Sequence, residues 1–263
     1  MMRPYLAIFA ARFRLLLQYR AAAAAGVACQ FFWGLIRMMI FTAFYENAGA
    51  DVPISLEQTI AYVWLSQGFM MLLPFRADGE IAGMIHTGNV AYELLRPAGL
   101  YNLWYAREIA NRTAPVVMRA GPMLIVATLA GWLHWPGPAN LVAFMLVLLA
   151  AALLASAVSL LLTISMFWTI SGRGISLLFS PVMFLLSGMI LPIPLFPDFL
   201  QPVLKSLPFV GVIDLPIRLF VQQMPASHAA GVVAYQLAWT AGLIVVGRFL
   251  IRRAVRRLVV QGG

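Results

Sequence analysis

Apolar residues gather in blocks of about twenty along the whole chain, separated by short polar stretches. Wound as a helix, a block of that length spans a hydrocarbon core of about 30 Å. Six such blocks predict six transmembrane helices, near residues 21–44, 59–75, 114–133, 141–168, 175–191 and 229–250. Ahead of the first, RPYLAIFAARFRLLLQYR (residues 3–20) puts Leu6, Phe9, Phe13 and Leu16 on one side of a helix and Arg3, Arg14 and Gln18 on the other. That is the pattern of an amphipathic helix lying in the membrane interface. Arg12 does not fit this partition, and an inward extension of the first span is the alternative for the segment.

The polar stretches differ from one another. ENAGADVPIS (residues 46–55) has two acids and no base, as an outer loop would. Residues 76–112 carry Arg76, Asp78, Glu80, Glu93, Arg96, Arg107, Glu108 and Arg112 and form the most polar part of the chain. HWPGPAN (residues 134–140) holds two prolines and a glycine that stop a helix. Prolines 192, 194, 197, 202 and 208 break the chain into short pieces up to His228. Such a run cannot form two uninterrupted spans, so 193–228 is expected to dip into the membrane and return as a re-entrant outer hairpin. The expected fold is therefore an all-α integral membrane protein. It comprises one transmembrane domain over 1–263, an interface helix at 1–20, a polar cytoplasmic segment at 76–112 between spans two and three, and the outer segment at 193–228. No repeat with inverted halves is visible, which argues against many secondary-transporter folds.

Composition agrees with lipid as the main solvent: 62% of the 263 residues are apolar, 10% are charged, and mean hydropathy is +0.89. A large soluble domain has no room. The net charge of +9 would raise nucleic acid as a partner of a soluble protein, but the arginines sit at the ends of apolar blocks, not in a continuous stripe. With both termini in the cytoplasm, fifteen of the eighteen basic residues lie on cytoplasmic ends, and only Arg37, Lys205 and Arg218 fall elsewhere. That bias sets the expected orientation: a multi-pass protein of the bacterial inner membrane with both ends inside. Cys29 is the sole cysteine, so no intrachain disulfide forms, and His86, His134 and His228 lack metal-ligand spacing. AAAAAGVAC before residue 30 resembles a signal-peptide end, but Arg20 interrupts the run and the apolar block continues beyond it, as in an uncleaved span.

A P-loop needs a lysine after a glycine-rich turn to reach nucleotide phosphates. The one lysine is Lys205, in QPVLKS, so this chain cannot use such a loop, and ATP-driven work requires a separate ATPase. The acids lie in loops or at span ends, unlike the buried relays of proton-coupled carriers. An ion-coupled carrier or channel acting alone, and an intramembrane enzyme acting on lipid, are the competing readings.

The order of features resembles the type-2 ABC export permeases, in particular a small six-span branch. The resemblance is carried by YRA at 19–21, EIAGMIHTGNVAYELLRP at 80–97, SGMILPIPLFPDFLQPVLKSLPF at 187–209 and RRLVVQGG at 256–263. It implies a permease that pairs with a second permease, identical or a related paralogue, and with two copies of an ABC ATPase subunit that carry ATP and Mg. This chain itself would hold no cofactor or metal, and its remaining partner is membrane lipid. The resemblance also implies that the segment between spans two and three contacts the ATPase.

Within that coupling segment Ile81, Ile85 and Leu94 are candidate apolar contacts, Glu80, Glu93 and Arg96 candidate polar partners, and Gly83 and Gly88 candidate points of close approach or turning. The alternative is a solvated loop. Arg37, two turns inside the outer end of span one, either snorkels to the interface or serves the translocation path. Asp198, Lys205, Asp214 and Arg218 are candidates for an outer gate, against the plainer reading of solvated charges. The small-residue rows at 150–159 and 21–26 suit close helix packing, within the chain or at a subunit seam.

Overall fold

The order of helices follows the apolar blocks. In a computed structural model that describes residues 2–47, 52–96, 98–169 and 172–256, every regular element is helical. Residues 48–51 of the expected outer loop, Pro97, the turn at 170–171 and residues 257–263 of the terminal motif lie outside the described residues. The elements are α1 (Arg3–Leu17), α2 (Arg20–Asn47), α3 (Leu56–Phe69), α4 (Gly79–His86), α5 (Val90–Leu94), α6 (Leu100–Leu129), α7 (Pro138–Ile164), α8 (Gly172–Leu186), α9 (Gln201–Ser206), α10 (Asp214–Phe220) and α11 (Ala229–Val255).

Local chemistry explains the boundaries. Ser55 and Gln58 form a reciprocal capping box that starts α3. Pro74 ends it: the preceding Leu73 is held extended, so the helix tightens into a 3-10 turn at Met70–Leu72 and stops. Pro138 occupies the first turn of α7, where its missing N–H costs nothing.

α7 is the centre of the bundle. It packs against α11, α6 and α10, while α3 lies between α2 and α6. Its row of small residues is turned inward, with Ala150, Ala151, Ala155, Ser156 and Ser159 all buried, so this row serves packing inside the chain. The main core joins α3, α6 and α7 to the outer segment, and includes a stacked pair, Trp64 and Trp132, with ring centroids 4.8 Å apart.

Three helical stretches are long and apolar enough to cross a membrane: Arg20–Asn47, Pro138–Phe167 and Ala226–Val255. The other three expected spans are helical but less plain. α3 and α8 have 14 and 15 residues, and the thirty residues of α6 include Arg107, Glu108, Arg112 and Arg119.

One sequence expectation shifts. The polar stretch 76–112 is not one loop, because α6 begins at Leu100 and its charged residues belong to the first turns of a long helix. Those charges find partners inside the protein, so polarity there does not mean a solvated chain. α1 also packs against the protein, with Phe9, Phe13 and Leu16 of its expected apolar side half-buried. Tyr5 and Ile8 pack against the cluster around Trp104, whereas Leu6 is 58% exposed.

Candidate functional site

Asp78 is the pivot of the end of the bundle that holds α1 and α4. Its carboxylate caps α4, accepting the N–H groups of Glu80 at 2.9 Å and Ile81 at 3.2 Å. The same carboxylate accepts Arg107 Nε at 2.6 Å and Nη2 at 3.1 Å, and the Asn111 amide at 2.8 Å. Its own N–H donates to Thr163 Oγ1 at 3.0 Å. One residue thus ties α4 to α6 and α7.

Glu80 extends the tie. It pairs with Arg12 Nη1 at 2.6 Å and with Arg107, and Arg12 Nε donates to Asn111 Oδ1 at 2.8 Å. The misfit Arg12 therefore lies on the protein-facing side of α1, where it closes a network among α1, α4 and α6. Burial alone would raise the Asp78 carboxyl, but the Arg107 guanidinium, the Ile81 N–H and the Asn111 amide outweigh it and hold the group below the ordinary aspartate range. Glu80 is lowered in the same way: slight burial is overcome by Arg107 and Arg12. Hydrogen bonds to charged groups of this kind contribute about 1.5–3 kcal/mol each.

A second network lies deeper. Arg112 donates to the Leu73 carbonyl at 2.8 Å and to Ser159 Oγ at 3.1 Å, and Ser159 donates to Glu108 at 2.8 Å. Glu108 is wholly buried, so this acid, expected from sequence in a loop or at a span end, lies inside the early turns of α6.

The coupling candidates divide by where they face. Ile81 is fully buried among Val90, Leu103 and Trp104, anchoring α4 from within. Gly83 is exposed, Ile85 is half-buried, and Gly88, with φ +74°, turns the chain between α4 and α5. Glu93 and Arg96 pair locally at 3.0 Å, a surface contact of small energy. Leu94 is exposed, and its neighbours Tyr92 and Leu95 are 72% and 81% exposed. Those last two were missed in the sequence, although VAYELL carries them in plain view. Three large apolar side chains on one short exposed stretch form the kind of patch that marks an interaction surface.

On the other side, Asp214 is buried and draws the outer segment together. It accepts from Tyr62 Oη at 3.0 Å and Ile193 N–H at 3.1 Å, and lies 3.6 Å from Arg218. The Tyr62 hydroxyl also lies 3.0 Å from the Gly188 carbonyl. Buried irregular backbone needs such partners, and the helices supply more. Gln58 bonds the Val221 carbonyl, Asn140 those of Leu219 and Met224, and Gln236 that of Gly211. Asp198 and Lys205 stand apart from Asp214, each bonded to Gln201 at the exposed side of the segment.

Arg37 is half-buried and has no carboxylate partner among the described residues. It donates to Ser66 Oγ and to the Ile190 carbonyl, both at 3.0 Å, and lines a cavity of about 910 Å³ between α2 and the Met189–Leu195 stretch. The walls include Trp33, Phe41, Met70 and Phe184. Gln30, only 2% exposed, brings to that wall an amide with neither atom hydrogen-bonded among the described residues.

A family model described as ABC-2 family transporter protein matches residues 31–262, nearly the whole length. The chain belongs to the ABC-2 transporter family. The ABC-2 chain is accordingly an integral membrane permease, a transport subunit, and membership implies association with an ABC ATPase. No curated protein matches it significantly.

Proposed function

We propose that the chain is the membrane-spanning subunit of an ATP-driven exporter of the bacterial inner membrane, with six spans and both termini cytoplasmic. It pairs with a second permease, identical or a paralogue, and with two ATPase subunits that bind ATP and Mg. ATP binding draws two coupling segments together and switches the permease pair between inward and outward states. No covalent chemistry occurs in this chain.

The observation that carries the reading is the asymmetry of α4 and α5. Their inner side is tied through Asp78, Glu80 and Ile81 to α1, α6 and α7, while Tyr92, Leu94 and Leu95 stand exposed. A push received on the exposed residues passes through charge-assisted bonds into the long helices. In this scheme the cavity beside Arg37 belongs to the translocation path. Asp214 with Arg218 braces the outer gate, and Asp198 and Lys205 face the outer water.

The test is co-purification. Tyr92→Asp combined with Leu95→Asp is expected to insert at normal levels yet lose the ATPase, because buried carboxylates cost several kcal/mol at a formed interface and little on a solvated loop. Retention of the ATPase at wild-type stoichiometry would contradict the assignment of this surface.

A further inference from the structure

The cavity of about 910 Å³ beside Arg37 is walled mainly by apolar side chains, Trp33, Phe41, Phe44 and Phe184 among them, and no acid lines it. Its size and lining are those of a site for one organic molecule. Arg37 gives the site a sign. Two N–H groups of its guanidinium have protein acceptors among the described residues, Nη1 on Ser66 Oγ and Nη2 on the Ile190 carbonyl. Both acceptors are neutral. The group is therefore held in place while its charge stays uncompensated and its other donors stay open. A second guanidinium has the same sign: Arg119 of α6 rests against Gly26 of α2, one turn before Cys29 on the cavity wall, and its Nε has no acceptor among the described residues.

Arg37 also lies deep in its helix. α2 runs from Arg20 to Asn47 and is long and apolar enough to cross a membrane. At about 1.5 Å per residue, Arg37 is about 26 Å from its start and about 15 Å from its end. The phosphates of bilayer lipids stay outside a hydrocarbon core of about 30 Å, so a phospholipid in its ordinary place does not bring its headgroup to this level. The bond to Ser66 holds the guanidinium on the cavity wall, where a snorkelling arginine would instead reach for the surface. A cation fixed inside a span without an acid is costly, and an anion that enters beside it offsets that cost.

We propose that this cavity takes an amphiphilic organic anion. Its apolar body packs against Trp33, Phe41, Phe44 and Phe184, and its sulfonate, carboxylate or phosphate accepts from the open donors of Arg37 in charge-assisted bonds. Organic cations of the same size are excluded by the sign of the wall. Calling the anion the exported cargo rests on the translocation path proposed above; its binding does not.

The experiment uses Cys29, the sole cysteine of the chain, which is exposed and lines the cavity. Its alkylation by N-ethylmaleimide is followed as the mass gain of the full chain in a neutral detergent without ATPase. Anilinonaphthalene sulfonate and phenylnaphthylamine share one ring system and differ in the sulfonate. The sulfonate is expected to slow alkylation by at least about fivefold, and to reach half its effect at a free concentration about tenfold below that of the neutral amine. Arg37→Gln should bring the two midpoints together, and Arg37→Lys should keep most of their separation. A melting temperature and an unprotected alkylation rate equal to those of the wild type check that each variant is folded; should neither fold, the two probes on the wild type decide. Equal midpoints in the wild type, or a separation untouched by Arg37→Gln, overturns the proposal. So does protection by tetraphenylphosphonium, a lipophilic cation, that matches protection by the sulfonate. Equal protection by phosphatidylglycerol would make the cavity a lipid site and overturn it as well. Because no ATPase takes part, failure here leaves the coupling surface standing, and failure of the coupling surface leaves this site standing.

Discussion

Arg107 grips the carboxylate of Asp78 across 29 residues of sequence, with Nε 2.6 Å from one oxygen and Nη2 3.1 Å from the other. The pair joins the start of a short peripheral helix to the longest helix of the bundle. Asp78→Asn, which can still cap α4 but loses the charge, is expected to destabilise the permease by about 1.5–3 kcal/mol, and Asp78→Ala, which also loses the cap, by more. The sign with pH follows from a carboxyl lowered below its unfolded value of 3.8. Its stabilisation is present above that value and is lost as pH falls through it toward the folded one. In detergent, the gap in melting temperature between wild type and Asp78→Asn should therefore be full at neutral pH and narrow below about pH 4. A gap constant down to pH 3.5 would mean that the ion pair contributes nothing.

Gly188 is expected to tolerate no side chain. Its φ is +80°, and a Cβ there would lie 2.7 Å from the Tyr62 hydroxyl and 2.9 Å from the Asp214 Cβ. Gly188→Ala combines left-handed strain of about 1–2 kcal/mol with overpacking of similar size. It should lower the melting temperature more than Tyr62→Phe, which removes one hydroxyl without a clash. Equal melting of Gly188→Ala and the wild type would refute the close packing of the outer segment.

Orientation is open to a direct assay. In a Cys29→Ala background, single cysteines at Ala139, Asp198 and Ser227 should react with an impermeant thiol reagent in intact cells, and one at Asn89 should not. Labelling of Asn89 from outside would reverse the topology. A cytoplasmic location for Asp198 or Ser227 alone would add a crossing to the outer segment.

What could be read from the sequence follows a physical division. Lipid demands only length and apolarity, so the positions of α2, α7 and α11 are written in the blocks themselves. Contacts between distant segments leave no such mark. Nothing local shows that Arg107 and Asn111, one turn apart on α6, meet Asp78. The failure of Arg12 to fit the amphipathic pattern was the sole hint of a partner, and its partners are Glu80 and Asn111. In a helix as short as α4 the apolar period cannot separate inner from outer faces, so Ile81 passed for a contact when it is an anchor. The cavity beside Arg37 depends on the spacing of α2 from the residues after α8, which no periodicity encodes.

The most direct measurement of the coupling surface is site-specific photo-cross-linking in the intact membrane. With a photoreactive phenylalanine analogue at Leu95, the expected product is a permease–ATPase adduct that forms in cells and is absent when the same probe replaces Phe199, an exposed residue of the outer segment. Failure to cross-link from both Leu95 and Tyr92, with an ATPase adduct forming instead from Trp168 near the start of α8, would contradict the claim that energy enters through α4 and α5.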